Sequence, residues 1–518
     1  MRPILFSLQV AGLLLFTGWA RPGQSQNYDP RMRFQVTLDR KLGTNQVSGR
    51  LLVLMTSKRE PLEVIEPSPT EMQSTWVCAR EVSAWKPGET LELDPDLIAF
   101  PQPFSRAPGT HYQIMALLDT DHSLGYDGVG PGDLYSAVKR MEEVQPKQAG
   151  NVSLTLSQRV PPRDKMVDMA THKQMVRRSE LLSTFWGRPM DVRADVILPP
   201  SYATTPAKRY PTVYYIHPFG SSPAASWVDA NLGSGPTATE MAAGMAAGTW
   251  PEMVYVFLDA TCPQGHHAFA DSVNNGPWSR ALVEEFIPYL EKSFHLDARP
   301  TARFLTGHSS GGWSALWLQV RHPDFFGGSW ATAPDPVDFR NWSGIDLTKT
   351  PPENFYRKTM TRPRWLIRID DREVVTTEDF GKWERVLADR GGQFNSFEAV
   401  FSPRSETGQP MPLFNRETGA IDPVVQQAWS HYDLSKFLKN NWAQLGPKLR
   451  GKLHVYVGTK DSIHLEESVY LLRDTLGNLG TDAAFTFMEG KTHFDLYADG
   501  LAKRIALEMG QASKAAAP

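Results

Sequence analysis

The sequence predicts an α/β fold: a mostly parallel β-sheet covered by helices on both faces, preceded by a small all-β, sandwich-like domain. Strands alternate with amphipathic helices from about residue 185 onward, an order typical of a sheet with helical crossovers on both faces. Between about residues 30 and 160, apolar residues instead alternate with polar ones, and turns rich in proline and glycine separate the runs. A chain of 518 residues is long enough for two such units.

The start of the chain has the pattern of a secretory signal peptide. Arg2 precedes an uncharged apolar run, and the small residues Gly18 and Ala20 follow it. We therefore predict a signal peptide over residues 1–25 and a secreted or periplasmic mature protein. An uncleaved membrane anchor is the alternative, which the polar residues within the run and Pro22 after it disfavour. No later segment is apolar over a bilayer-spanning length, so we expect no stable membrane insertion after signal cleavage.

The predicted N-terminal domain covers residues 26–165. In "RFQVTLD" the residues Phe34, Val36 and Leu38 alternate with polar neighbours, and "NVSLTLS" repeats the pattern. Several short strands with turns between them indicate a β-sandwich-like unit. Its role stays open between substrate docking, cover for part of an active-site mouth, and simple stability, which the sequence favours because the segment contains no catalytic cluster.

The predicted α/β domain covers residues 166–518. Its strands include "TVYYIHPFG", "MVYVFLDA" and "KLHVYVGTKD", and its helices include "ALVEEFIPYLEKSF", a segment from about 464 to 478 and a final helix. Ligands bind at the carboxyl ends of such strands. A long segment of about residues 338–445 interrupts the alternation, and it is either a lid or substrate pocket or a peripheral insertion.

Charge, cysteine and histidine content exclude several classes of function. Lysine and arginine total 54 against 57 aspartate and glutamate residues, so the chain has no basic field and we expect no nucleic-acid partner. The two cysteines, Cys78 and Cys262, leave open a disulfide or two separate thiols. His266 and His267 lack the spacing of a zinc site, so we expect structural or cavity-lining roles and no metal.

The stretch "LTGHSSGGWSAL" (305–316) predicts a nucleophile elbow. An apolar run of strand length precedes it and a helical apolar period follows it. Such an elbow needs small residues two before and two after its serine, and Gly307 and Gly311 satisfy this for Ser309. Ser310 has His308 two positions before it, so Ser309 is the predicted nucleophile. The alternative is a glycine-rich turn in another kind of α/β protein.

A serine nucleophile needs an imidazole to take its proton and a carboxylate to orient that imidazole. Asp461 follows the strand "LHVYVGTK", and His493 follows the last strand, "AFTFMEGKT". Both therefore lie at strand ends, in the order that places the acid before the histidine. The weaker candidates are His431, His454 and His464 for the base, and Asp335, Glu466 and Glu467 for the acid.

Acyl transfer also needs two N–H groups directed at the developing oxyanion. One is expected from Ser310, directly after the nucleophile. The other is expected from the loop after an early strand, "YYIHPFGSS", where Pro218 has no N–H and Phe219 does. We therefore predict an oxyanion hole formed by Phe219 and Ser310.

These stretches resemble the esterases related to esterase D, a family that includes S-formylglutathione hydrolases, feruloyl esterases, enterochelin-type esterases and mycolyltransferases. The resemblance rests on "RYPTVYYIHPFG", the segment around "LTGHSSGGWSAL", "VYVGTKDSIHLEESVYLL" and "EGKTHFDLY", and covers roughly residues 185–340 and 450–510. It implies an α/β-hydrolase fold with Ser309, Asp461 and His493 as the catalytic triad. The chain departs from the family at "HP", where "HG" is usual, and at "KTHF", where a glycine commonly precedes the histidine.

The sequence thus predicts an exported serine esterase that cleaves carboxylic esters through an acyl-enzyme, on a small-molecule or polymer-linked ester. We expect no organic cofactor and no metal. Two alternatives remain: an acyltransferase or peptidase on the same triad, and a non-catalytic carbohydrate- or polymer-binding protein with a hydrolase fold. The acyl and alcohol parts of the substrate and the oligomeric state are not predicted.

Overall fold

The computed structural model describes residues 30–120, 122, 130, 132–161, 171–223, 238–388 and 392–515. The predicted signal peptide (1–25) and the predicted boundary between residues 165 and 166 lie outside the described residues, so both stay predictions. Within the described parts, no helix combines the length and apolar character needed to cross a bilayer.

The N-terminal region is all-β, as predicted. Its described strands are β1 Arg33–Leu38, β2 Val47–Thr56, β3 Thr75–Trp85, β4 Thr90–Leu93, β5 Ala99–Phe100, β6 Thr110–Asp119, β7 Leu134–Ser136, β8 Lys139–Val144 and β9 Asn151–Arg159. They form one sheet in the order β4-β1-β9-β7-β6-β2-β3-β5, with β8 paired to β6. Strands β1 and β2 are separated by three strands in this order, yet Val36 and Val53 share one buried cluster. The sheet therefore curls round an apolar core.

The second region contains the predicted, mostly parallel sheet. The remaining described strands are β10 His172–Arg178, β11 Asp191–Ile197, β12 Thr212–Ile216, β13 Val254–Leu258, β14 Thr261–Cys262, β15 Gly265–His266, β16 Asp271–Ser272, β17 Gly276–Pro277, β18 Arg303–His308, β19 Gly328–Thr332, β20 Trp365–Ile369, β21 Arg372–Thr376, β22 Leu453–Gly458 and β23 Ala484–Met488. The main sheet has the order β10-β11-β13-β12-β18-β19-β22-β23. Strands from β13 to β23 in this order pair in parallel, whereas β10 and β11 are antiparallel.

Helices cover both faces of this sheet. The described helices of the chain are α1 Glu180–Trp186, α2 Ala238–Ala246, α3 Trp278–Arg280, α4 Ile287–Ser293, α5 Ser310–Arg321, α6 Thr377–Leu387, α7 Gln393–Phe401, α8 Pro423–Trp429, α9 Leu434–Leu449, α10 Leu465–Asn478 and α11 Leu501–Ala515. A π-helical turn, Ala281–Phe286, joins α3 to α4. In β12, Val213 and Tyr215 enter one buried cluster while Tyr214 and Ile216 enter another, on the opposite face. This double burial explains the continuous apolar run of the strand.

The insertion of about residues 338–445 packs against the N-terminal sheet. Leu52 and Leu54 of β2 lie in the same cluster as Phe380 and Trp383 of α6. Arg50, which is 4% exposed, donates to the backbone oxygens of Val386 (2.9 Å) and Arg385 (2.8 Å) at the end of α6. These bonds satisfy carbonyls that a helix end leaves without intrahelical partners. The N-terminal sheet and the insertion therefore share one core.

The cysteine and histidine pairs have structural environments. Cys78 and Cys262 are free thiols, and burial raises the pKa of both. The ring of His267 stacks on Trp278 with a centroid distance of 3.6 Å. Among the described residues, no group of three histidine, cysteine, aspartate or glutamate side chains could hold a metal ion.

Candidate active site

Ser309 lies at a sharp turn between β18 and α5. Its φ of 56° and ψ of −120° place a non-glycine residue in a strained conformation. The glycines around it are required by close backbone contacts. A Cβ on Gly307 would lie 2.4 Å from the Gly311 oxygen, and one on Gly311 would lie 2.0 Å from the Ile216 oxygen. The structure thus has the strand, elbow and helix that the glycine spacing predicts.

Asp461 and His493 lie together at the carboxyl ends of β22 and β23. Nδ1 of His493 donates to Oδ2 of Asp461 at 2.9 Å, and both side chains are buried. Oδ1 of Asp461 accepts from the backbone N–H of Ile463 at 2.9 Å, which fixes the carboxylate. The two residues are therefore held as an oriented carboxylate and imidazole, the arrangement that a general base needs.

The two groups also shift each other's pKa. Burial raises the pKa of Asp461, but the charge of His493 and the hydrogen bond from it outweigh burial and leave the pKa below 3.8. Burial lowers the pKa of His493, and the Asp461 carboxylate outweighs it, so the pKa lies above 6.5. The pair thus favours an ionised aspartate and a basic imidazole.

The hydroxyl of Ser309 donates to a different carboxylate, Asp335, which follows β19. Oγ of Ser309 lies 3.1 Å from Oδ1 of Asp335, and Oγ of Ser310 lies 2.5 Å from Oδ2. Burial raises the pKa of Asp335 to about 6, although both hydroxyls oppose that change. Ser309 makes no hydrogen bond with His493, although both line the same cavity. The weaker candidate acid thus contacts the serine rather than the histidine.

The two predicted oxyanion-hole residues lie at the start of α5 and in the loop after β12. Ser310 is the first residue of α5, where an N–H has no intrahelical acceptor. Phe219 follows β12 and lines the cavity. The start of this loop is held by hydrogen bonds at His217. Its Nε2 accepts from the N–H of Ala260 at 2.9 Å, and its backbone oxygen accepts from Nε2 of His266 at 3.0 Å.

Two roles in this site have no clear signal in the sequence. His266 proves to hold the loop that carries Phe219, and His217, the first residue of the unusual "HP" pair, is part of the same network. In the sequence, His308 serves only to exclude Ser310 as the nucleophile, because a small residue is needed two positions before it. Its buried ring lies against His493 with a centroid distance of 4.4 Å, and burial and His493 together keep the pKa of His308 well below 6.5. A neutral ring therefore supports one side of His493.

Ser309, His493 and Phe219 open into one cavity of about 560 Å³. This volume lies within the range of about 300–1,000 Å³ found for small-molecule sites. The insertion contributes an aromatic and aliphatic lining from β20, α6 and α7. The insertion is therefore part of the cavity wall, which favours a substrate-pocket role over a peripheral insertion.

The family model described as "Putative esterase" matches residues 183–465. The chain belongs to this esterase family. Its fold is the α/β-hydrolase fold, so the predicted family and fold class are confirmed. Membership supports hydrolysis of an ester, and the match includes Ser309 and Asp461 but ends before His493.

Similar solved structures share about one residue in seven with the chain. They include a ferulic acid esterase (15% identity, 65% of this chain, 98% of that chain, TM-score 0.40), an S-formylglutathione hydrolase from Agrobacterium tumefaciens (14%, 66%, 94%, TM-score 0.39) and a fluorophosphonate-binding serine hydrolase from Staphylococcus aureus (14%, 65%, 98%, TM-score 0.38). No curated protein matches the chain.

Proposed function

We propose that this protein is a serine esterase that hydrolyses carboxylic esters through an acyl-enzyme. Ser309 is the nucleophile, His493 the general base and acid, and Asp461 the residue that orients His493. The observation that carries the proposal is the buried 2.9 Å bond from His493 to Asp461 in the same cavity as the strained Ser309 elbow. Family membership supports the same reaction class.

The reaction begins when the Ser309 hydroxyl leaves Asp335 and donates to His493. Its oxygen then attacks the ester carbonyl carbon while the proton moves to His493. The tetrahedral oxyanion accepts hydrogen bonds from the N–H groups of Phe219 and Ser310. Collapse of this intermediate expels the alcohol, which takes the proton from His493. Water then attacks the acyl-Ser309 with His493 as base, which releases the acid and restores the hydroxyl.

The test uses p-nitrophenyl acetate and butyrate with wild type, Ser309→Ala and Ser314→Ala. Ser314 lies one turn further along α5 and donates to the Ser310 oxygen at 2.6 Å, so its alanine variant is a matched control for loss of a buried hydroxyl. We expect Ser309→Ala to lose hydrolysis and fluorophosphonate labelling, and Ser314→Ala to keep both. A wild type that neither hydrolyses these esters nor takes the label would favour the binding-protein alternative.

We also propose that the mature protein is exported, which rests on the N-terminal sequence pattern alone. Its substrate would then be a small or polymer-linked ester outside the cytoplasm. Sequencing of the N-terminus of the protein recovered from the periplasm or medium tests this. A start near residue 26 supports export with cleavage, whereas an intact Met1 in the cytoplasmic fraction contradicts it.

A further inference from the structure

The catalytic cavity has a wall that comes from the N-terminal sheet. The segment between β2 and β3 contributes Leu62, Val64 and Ile65 to the lining, on the same cavity as Ser309. These residues precede the family match by more than 100 positions. The residues that match the family model therefore do not supply the whole cavity lining, and the N-terminal region supplies part of the remainder.

This wall is held in place by one buried glutamine. Gln113 of β6 is 3% exposed, and its Nε2 donates to the backbone oxygens of Lys58 (2.8 Å) and Glu60 (2.7 Å). Its Oε1 accepts from the N–H of Leu62 at 3.0 Å. Three bonds from one amide fix the backbone path, so the wall is formed before any ligand binds.

A second part of the cavity lining is rich in aromatic rings. Trp342 and, on the helices of the insertion, Phe380, Phe394 and Phe397 line it. Arg50 of β2 ties the end of α6 to the N-terminal sheet through Val386. These two parts of the cavity lining are therefore held relative to each other by a shared core rather than by a free loop.

The charges near this wall do not favour an ionic ligand. Lys58 and Glu71 line the cavity but pair with each other at 2.6 Å. Glu66 also lines the cavity but is exposed to solvent, so water screens its charge. The remaining N-terminal contacts are mostly aliphatic or proline side chains, and apolar surface of this kind binds apolar groups by removing them from water.

We propose that the segment Lys58–Glu71 is a substrate-binding wall, and that the ester this protein selects carries a bulky apolar group lying between that wall and the aromatic residues of the insertion. The proposal rests on the proposed esterase function and names the substrate class of that site. The bulky group can belong to the acyl or to the alcohol part of the ester, and the experiment separates these sources.

The test varies the size of Val64, which is half-buried and lines the cavity. Hydrolysis of methyl 3-phenylpropanoate and of 3-phenylpropyl acetate is measured, each relative to methyl acetate, with active sites counted by fluorophosphonate titration. Val64→Trp is expected to lower the ratio for the ester whose bulky group meets the wall by about tenfold or more, since one methylene in an apolar pocket changes selectivity by about 10- to 200-fold. Val64→Ala removes apolar surface that the bulky group would contact, so it is expected to lower the same ratio by about threefold or more.

The matched control is Val138→Trp, because Val138 is also half-buried and packs against the same core cluster but does not line the cavity. It should keep both ratios of the wild type. Equal ratios in wild type, Val64→Trp and Val64→Ala would overturn the proposed substrate-binding wall but not the proposed esterase function. A fall of the ratio in Val138→Trp as large as that in Val64→Trp would have the same meaning. If Val64→Trp does not fold, a bulky-ester ratio in Val64→Ala that equals or exceeds that of wild type overturns the proposal. A wild type without labelling or turnover overturns both proposals.

Discussion

Replacement of Asp335 by asparagine should stabilise the protein at neutral pH. Burial raises the pKa of this carboxyl from 3.8 to about 6. A raised pKa means that the fold disfavours the ionised form, by about 1.4 kcal/mol for each pH unit that separates the folded and unfolded pKa values. The rise therefore corresponds to a cost of about 3 kcal/mol above pH 7. Asparagine has nearly the same shape and can still accept from Ser309 and donate to Ser310, without the buried charge.

The direction of this pH dependence of stability follows from the number of protons that the folded and unfolded states bind. Between pH 3.8 and about 6, the folded protein keeps a proton on Asp335 that the unfolded chain has lost. Stability therefore falls as pH rises through this window, and the cost is fully present above it. The free energy of unfolding of Asp335→Asn minus that of wild type should increase by about 2 kcal/mol between pH 4.5 and pH 8.

The assay is urea unfolding of both proteins at these two pH values. Asp297→Asn is the control, since the hydrogen bond from Arg299 lowers the pKa of Asp297 below 3.8. The stability that depends on this lowered pKa is nearly complete by pH 4.5, so the same difference for Asp297→Asn should stay almost constant between the two pH values. A difference for Asp335→Asn that does not change with pH, or that decreases, would refute the assignment of a destabilising buried charge beside Ser309.

Three further predictions concern the triad and the thiols. Asp461→Asn should lower kcat by about 10⁴-fold with little effect on KM, because asparagine cannot hold the required tautomer of His493; a loss below tenfold in steady-state kinetics would place the acid elsewhere. Because the pKa of His493 is raised, the acid limb of kcat/KM should have its midpoint above pH 6.5, and a pH profile with a lower midpoint contradicts this. Cys78 and Cys262 should both react with iodoacetamide in unfolded, unreduced protein and resist it when folded; mass spectrometry that finds them joined would contradict the free thiols.

The elbow was predictable because it depends on neighbours in sequence. Gly307 and Gly311 are small for a reason that lies within one turn of chain, and their spacing alone identifies Ser309. The positions of Asp461 and His493 at strand ends were predictable for a related reason, since parallel strands place their carboxyl ends along one edge. The structure pairs these two residues, whereas their catalytic roles stay a proposal.

The partner of the Ser309 hydroxyl was not predictable in the same way. The sequence shows that Asp335 follows a strand, but its contact with Ser309 depends on the path of a loop after β19. The substrate-binding wall at Val64 was not predictable from the sequence at all. It forms only because a segment near the start of the chain packs beside residues of the insertion. Periodicity reports the face that a strand buries, and it does not report which distant element covers that face.

Two features at the proposed nucleophile lower the stability of the fold. Ser309 has a strained backbone, and Asp335 buries a carboxylate within hydrogen-bond distance of its hydroxyl. Backbone strain and buried charge of this kind are concentrated at functional sites. While Asp335 is ionised it also competes with His493 for the Ser309 proton, so the same carboxylate opposes the first step of the proposed reaction. Its negative charge is equally placed to stabilise the imidazolium that forms once the proton has moved, since the Asp335 charge already favours the protonated form of His493. An Asp335→Asn protein that is more stable yet turns over more slowly would mean that the second effect outweighs the first.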